Sequence, residues 1–282
     1  MVLQQQTRVK IWGEATAKTK VTVKTTWDNK TYTTTTDGEG CWLLTVSTPV
    51  AIVGGSPYEI SISDGEEIIL KNIFIGEVWF CSGQSNMEMP IRGFDGQPIK
   101  GANDVIAKAK PQTPIRIFTT DSKDGNWIRQ FSKQPQTDCK GEWLENTSDN
   151  VANTSAIAYF FAQYIQDILG VPVGIIVSSW GGSKVEAWMS REVLSPFTEV
   201  NLSHLDNDDV IKQPNVTPCV LYNAKIAPLT NYVIRGFLWY QGESNRDKPE
   251  LYSRLMPVFA ADIRDKWNIG GISFLFCSNS PL

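Results

Sequence analysis

The chain has 282 residues, 41% of them apolar and 20% charged, with 26 basic against 30 acidic side chains for a net charge of −4. That length suits one large domain or two modest ones and can bury a core without a metal or disulfide staple. The near balance of charge excludes disorder and the basic excess of a nucleic-acid binder, and a single histidine, His204, excludes a His-x-x-x-His metal site.

The N-terminus, Met1 to Gln6, lacks the basic stretch and apolar run of a signal peptide, so the sequence reads as cytoplasmic or as beginning after its signal. From there to residue 76 the pattern is all-β. Arg8 to Gly13, Lys20 to Trp27, Lys30 to Thr36, Cys41 to Thr48, Tyr58 to Ser63 and Glu67 to Ile75 are short runs rich in Val, Ile, Thr and aromatics. Turn signals separate them at Asp37-Gly38-Glu39-Gly40, Gly54-Gly55-Ser56-Pro57 and Asp64-Gly65, which predicts a small sandwich.

At Glu77 the texture changes. Val78 to Ser82 reads as a buried strand, and Gly93 to Asn153 as an irregular insertion with short strands. Ser155 opens a helix whose apolar stripe (Ile157, Phe160, Phe161, Tyr164, Ile165, Ile168) stops at Gly170 and Pro172. Val173 to Val177 is a second buried strand. A short helical pattern over Tyr222 to Leu229, a strand over Ile234 to Tyr240, a helix over Pro249 to Trp267 and a strand over Ile272 to Phe276 follow. Apolar strands alternating with amphipathic helices predict an α/β fold, a parallel sheet with helices on both faces. The site of such a sheet lies at the carboxyl ends of its strands. No run of 18 apolar residues predicts a membrane span. Five cysteines without a Cys-x-x-Cys argue against zinc and thioredoxin-type chemistry; their odd count leaves at least one free thiol, and most read as small buried hydrophobes.

Three polar, glycine-containing turns close these strands. The first is Ser82-Gly83-Gln84-Ser85-Asn86-Met87, where Ser85 either caps a helix or exposes a nucleophilic hydroxyl beside its own N–H. It is not the Gly-x-Ser-x-Gly elbow, because Met87 stands at the second Gly, which argues against an α/β-hydrolase. The second is Ser178-Ser179-Trp180-Gly181-Gly182-Ser183, a plain turn or a pair of unobstructed backbone donors. The third, Gln241-Gly242-Glu243-Ser244-Asn245, could aim a side-chain amide into a site. Following strands of one sheet, the three should converge on a serine nucleophile, backbone donors and an amide donor, with no acid pair.

Glu77-Val78-Trp79-Phe80-Cys81-Ser82-Gly83-Gln84-Ser85-Asn86-Met87-Glu88-Met89-Pro90 resembles the nucleophile block of sialate O-acetylesterases, members of the SGNH hydrolase superfamily. Ser179-Trp180-Gly181-Gly182-Ser183-Lys184-Val185-Glu186-Ala187-Trp188 resembles their second block and Leu238-Trp239-Tyr240-Gln241-Gly242-Glu243-Ser244-Asn245 their third. Met1 to Gln5 and Ile11-Trp12-Gly13 resemble the start of the β domain of bacterial members. The resemblance covers nearly the whole chain, weakening through the insertion and after Gly270. It implies a flavodoxin-like SGNH esterase domain over residues 77–282, preceded by a β-sandwich over residues 1–76.

The resemblance further implies that Ser85 attacks the acetyl carbonyl and forms an acetyl-enzyme. Its N–H and that of Gly182 or Gly181 form an oxyanion hole, with Gln241, in preference to Asn245, adding a side-chain donor. Glu243 orients these groups, and Gln84, Asn86, Trp180, Glu243 and Asn245 line the substrate site; Trp180 and Trp188 are the aromatics placed to contact sugar, whereas Trp12, Trp42, Trp79 and Trp239 read as core. The implied substrate is an O-acetylated carbohydrate, acetylated sialic acids first and acetylated xylan as the alternative, with no cofactor, metal, nucleic-acid partner or membrane insertion. Relatives with this β domain imply a secreted or periplasmic setting.

The family pattern has a fourth block, Asp-x-x-His, whose histidine is the base for the serine. This sequence has none. Asn201 stands three residues before His204, which reads as a surface histidine among acidic neighbours, and the expectation is a chain truncated ahead of that block. Losing a triad base can cost on the order of a million-fold in turnover, so little activity is expected. A non-catalytic sugar-binding protein is the competing class. A glycosidase needs a second acid paired with Glu243, which nothing in the sequence fixes.

Overall fold

The computed structural model describes residues 1–123 and 126–277. Seven strands come first: β1 (Val2–Gln4), β2 (Arg8–Glu14), β3 (Lys20–Thr25), β4 (Thr31–Thr35), β5 (Cys41–Ser47), β6 (Tyr58–Ser63) and β7 (Glu67–Gly83). β2 and β5 pair antiparallel, while β4, β3, β6 and the first half of β7 form the facing antiparallel sheet. Alternation drives this packing: Val9, Ile11, Val21, Val23, Trp42, Leu44, Val46, Ile60 and Ile73 meet in one core. β1, which sequence pattern does not reveal, lies parallel to β7 with Val2 opposite Phe74.

The predicted break between Ile75 and Val78 does not occur. β7 runs unbroken for 17 residues, and its second half is the middle of the other sheet. Gly76 is there for close approach rather than a turn, since a Cβ at that position would lie 1.8 Å from the Pro172 carbonyl oxygen.

The rest of the chain supplies α1 (Ser85–Glu88), α2 (Ala102–Lys108), β8 (Ile115–Thr119), the two-residue strands β9 (Ser122–Lys123) and β10 (Asn126–Trp127), which pair with each other, β11 (Glu142–Glu145), α3 (Ser148–Asn153), α4 (Ala156–Leu169), β12 (Val173–Ser179), α5 (Arg191–Leu194), β13 (Gly236–Tyr240), α6 (Pro249–Trp267) and β14 (Ser273–Phe276). β8, β12, β7, β13 and β14 run parallel in that order, with β11 antiparallel on the β8 edge. The stretch read as an insertion thus supplies an internal strand. Arg116 hides β8 in the sequence; it is buried, donating to the carbonyls of Thr113 (3.1 Å) and Ile115 (3.0 Å) and lying over the Phe74 ring.

Helices cover both faces, the α/β architecture expected. Val78 and Phe80 of β7 meet Leu255, Phe259, Ile263 and Trp267 of α6 on one side, while Trp79 and Cys81 meet Ala158, Tyr159 and Ala162 of α4 on the other. α4 is rotated from its predicted stripe: Tyr164 is 65% exposed, and Ile168 and Phe160 also face outward. Small alanines let the helix approach the sheet, and Tyr159 Oη donates to Asn146 Oδ1 at 2.9 Å. Ser155 caps α4 by accepting the Ala158 N–H. Of the five cysteines, all free thiols, Cys81 and Cys219 are buried, whereas Cys41 and Cys277 are exposed. Among the described residues no helix is long and apolar enough to cross a membrane.

Candidate active site

β12 and β13 flank β7 with Ser179 and Tyr240 both paired to Gly83, so the three polar turns leave the sheet at one level. Backbone bonds then fasten them together. The Trp180 N–H donates to the Gly83 carbonyl (3.1 Å), and the Gln84 N–H to the Tyr240 carbonyl (3.0 Å). Gly83 allows this closeness: its φ is +150°, and a Cβ there would sit 2.0 Å from the Tyr240 oxygen.

Ser85 opens α1 and is half-buried. As the first helical residue it has no intrahelical acceptor for its N–H. Among the described residues nothing hydrogen-bonds to its hydroxyl. A Cβ built on Gly181 would come 3.9 Å from Ser85 Cβ, which brings the second turn against the serine. The Gly181 N–H is committed to Glu88 Oε2, on the same short helix as Ser85. The Gly182 N–H has no partner among the described residues, while its carbonyl accepts from Asn215 Nδ2 (3.1 Å).

The third turn is braced from inside. Gln84 is buried, and its Oε1 accepts the N–H groups of Gly242 (3.3 Å) and Ser244 (3.2 Å). Asn86 donates to Glu243 Oε1, whose partner oxygen Oε2 is buried without a hydrogen bond. Gln241 departs from the donor role that the resemblance implies. It is buried, and its Nε2 donates to the Ser183 carbonyl (2.9 Å) and to Asn245 Oδ1 (2.7 Å), leaving only its unpartnered Oε1. Asn245 is buried too, linking Val185 N–H (3.0 Å) and Glu186 Oε2 (2.8 Å). Gln241 and Asn245 therefore tie the third turn to the second from below, and a substrate contact by Asn245 is not what the burial permits.

The two tryptophans of the second block separate. Trp188 is fully buried with its Nε1 on Ser183 Oγ (2.8 Å) and its ring against Trp239, which removes it from the sugar-facing candidates. Trp180 is half-buried, beneath the Arg129 guanidinium at 4.6 Å. Trp42, Trp79 and Trp239 are core as expected; Trp12 is half-buried. His204 does not join the site. Its Nε2 meets the Pro218 carbonyl at 3.0 Å, on a 3-10 turn apart from the three strand ends.

Four residues around the site carry no signal in the sequence. Glu88 pairs with Arg129, and Lys225 is fully buried on Asp121 (2.7 and 2.8 Å) and the Ser179 carbonyl (2.8 Å). Burial pushes the Asp121 carboxyl up and the Lys225 ammonium down, and their mutual contact opposes both. Glu88, Asp121 and Ser179 also border a cavity of about 970 Å³ over the carboxyl ends of β8 and β12, with Arg92, Asn150 and Asn153 on its other walls.

Residues 75–278 match the carbohydrate esterase, sialic acid-specific acetylesterase family. The sialate O-acetylesterases of mouse and human are similar to this chain, 26% and 28% identical over 96% of it. A crystal structure of a carbohydrate acetylesterase from Xanthomonas citri superposes on 98% of the chain with a TM-score of 0.82 and 29% identity. The chain spans about half the length of these relatives: 55% and 52% of the two mammalian proteins and 57% of the bacterial one.

Proposed function

The chain belongs to the carbohydrate esterase family of sialic acid-specific acetylesterases, and on that premise we propose that it removes O-acetyl groups from sugars, acetylated sialic acids first, through Ser85. One observation carries the reading: Ser85, two residues past the end of β7, lies against the turn of Gly181 and Gly182, and among the described residues neither its hydroxyl nor the Gly182 N–H has a hydrogen-bond partner. In this reading the Ser85 oxygen bonds to the acetyl carbon. The carbonyl oxygen becomes an oxyanion held by the N–H groups of Ser85 and Gly182, each such donor being worth roughly 3–4 kcal/mol of transition-state stabilisation. The Ser85 proton goes to solvent water; collapse then breaks the ester C–O bond, the leaving sugar oxygen takes a proton from solvent, and water later releases acetate from the acetyl-serine and returns a proton to the Ser85 oxygen. Trp180 and the cavity beyond Glu88 receive the sugar. Gln84, Asn86, Glu243, Gln241 and Asn245 hold the three turns in place.

The proton of Ser85 has no imidazole to go to, because the one histidine of the sequence is on the Pro218 carbonyl. These 282 residues by themselves therefore turn over slowly. The test is acetate release from p-nitrophenyl acetate and from an O-acetylated sialic acid, together with labelling by a fluorophosphonate read by mass spectrometry. Slow release and labelling at Ser85, both abolished by Ser85→Ala and unchanged by His204→Ala, is the expected result. Absence of any label on Ser85 overturns the esterase reading, and turnover at ordinary esterase rates overturns the account of the missing base.

A further inference from the structure

Resting on the esterase reading, we propose that Glu88 is a positioning residue that sets the oxyanion pocket by clamping the second turn to the helix of the nucleophile. Glu88 lies three residues after Ser85, one turn along α1, and its side chain is only 10% exposed. Its two carboxylate oxygens have separate duties. Oε2 takes the Gly181 N–H and Oε1 takes Arg129, whose guanidinium lies over the Trp180 ring. The result is a closed ring of contacts: Glu88 to Gly181, along the backbone to Trp180, across the ring face to Arg129, and back to Glu88.

Two consequences follow from this geometry. The Gly181 N–H is consumed, so the turn has one amide left to offer, that of Gly182, and the Gly181 bond fixes the peptide from which Gly182 follows. The nucleophile and its donor are thereby spaced through a single side chain rather than through the sheet alone. A carboxylate this close to a developing oxyanion would oppose it by like-charge repulsion, and the Arg129 pair offsets that charge. Arg129 is 32% exposed, so it neutralises Glu88 from the rim without closing the site.

The experiment compares the full chain with Glu88→Ala, Glu88→Asp and Glu88→Gln. Two quantities are read: the rate of fluorophosphonate labelling at Ser85 and the amide resonance of Gly181 by ¹H–¹⁵N NMR. In the labelling step the Ser85 oxygen bonds to phosphorus, fluoride leaves with the P–F electron pair, and the hydroxyl proton goes to solvent. The phosphoryl oxygen occupies the oxyanion pocket. Displacing a donor by about an ångström can cost on the order of a hundredfold, so Glu88→Ala should slow labelling by roughly tenfold to a hundredfold. It should also move the Gly181 amide upfield as a charge-assisted bond is lost. Glu88→Asp keeps the charge but withdraws it by one methylene, and should resemble Glu88→Ala. Glu88→Gln keeps an acceptor at full reach and should restore most of the rate. A Gly181 resonance indifferent to Glu88→Ala overturns the proposal. So does labelling that is unchanged or faster in Glu88→Ala, which would make Glu88 a plug on a second donor. Those outcomes are read against a wild-type chain that labels; a wild type that does not label strikes the esterase reading itself.

Discussion

Asn86 donates its side-chain amide to Glu243 Oε1 at 2.5 Å, joining the residue after Ser85 to the turn that follows β13. The bond spans two elements that meet only because β7 and β13 are neighbours in the sheet. Its acceptor is a carboxylate with one oxygen buried and unpartnered, so the Asn86 contact is what satisfies that group from the side of α1. Asn86→Ala should lower stability by about 1–3 kcal/mol, the usual penalty for stripping a partner from a buried polar group. It should also slow labelling of Ser85. Glu243→Gln, which keeps an acceptor, should do less on both counts. Urea unfolding midpoints and labelling rates check this, and an Asn86→Ala protein identical to wild type in both would show that the contact carries no weight.

Lys225 and Asp121 form a fully buried pair beneath the second turn, with 0% and 2% of their side chains exposed. Lys225→Met leaves Asp121 buried without its cation and should cost about 3–5 kcal/mol. Adding Asp121→Leu removes the stranded carboxylate, so the double variant should be much closer to wild type than the single one. Chemical denaturation of the three proteins gives the coupling directly. A double variant no better than Lys225→Met would mean that the pair is not coupled.

The cysteines should divide by pH. Burial pushes the Cys219 thiol up to about 12 and the Cys139 thiol likewise up to about 12. A raised thiol value means less thiolate below it, so at pH 8 these two present roughly 10⁻⁴ of the reactive form. Iodoacetamide at pH 8 should therefore modify the exposed Cys41 and Cys277 and spare Cys81, Cys139 and Cys219 until urea unfolds the chain. Peptide mapping counts the modified sites. Early modification of Cys219 would contradict its burial.

The fold was legible where pattern and burial coincide. Val21, Val23 and Thr25 alternate in the sequence and all point inward, and Pro249 to Trp267 is helical at the very bounds its pattern predicts. Legibility failed where a local signal has a long-range cause. Gly76 looks like a boundary because its reason, the Pro172 carbonyl, lies nearly a hundred residues away. The stripe on α4 misleads because alanines, not large side chains, decide which face can approach a sheet. At the site, the turns that converge could be read from the strand ends, but not the direction of each side chain. Gln241 looks like a donor into the pocket until the Ser183 carbonyl and Asn245 are seen to take its amide hydrogens. Glu88 and Lys225 escaped notice for the same reason: single charged residues with no partner nearby in sequence.

The unbroken course of β7 has a mechanical meaning. With no loop between the sandwich and the sheet that bears Ser85, there is no hinge about which one could swing against the other. A twist imposed on the front of the molecule is delivered along the same backbone to within two residues of Ser85. The N-terminal sandwich is in that sense a handle welded to the sheet that carries Ser85, and grafting a different one would require a cut through the spine of the molecule.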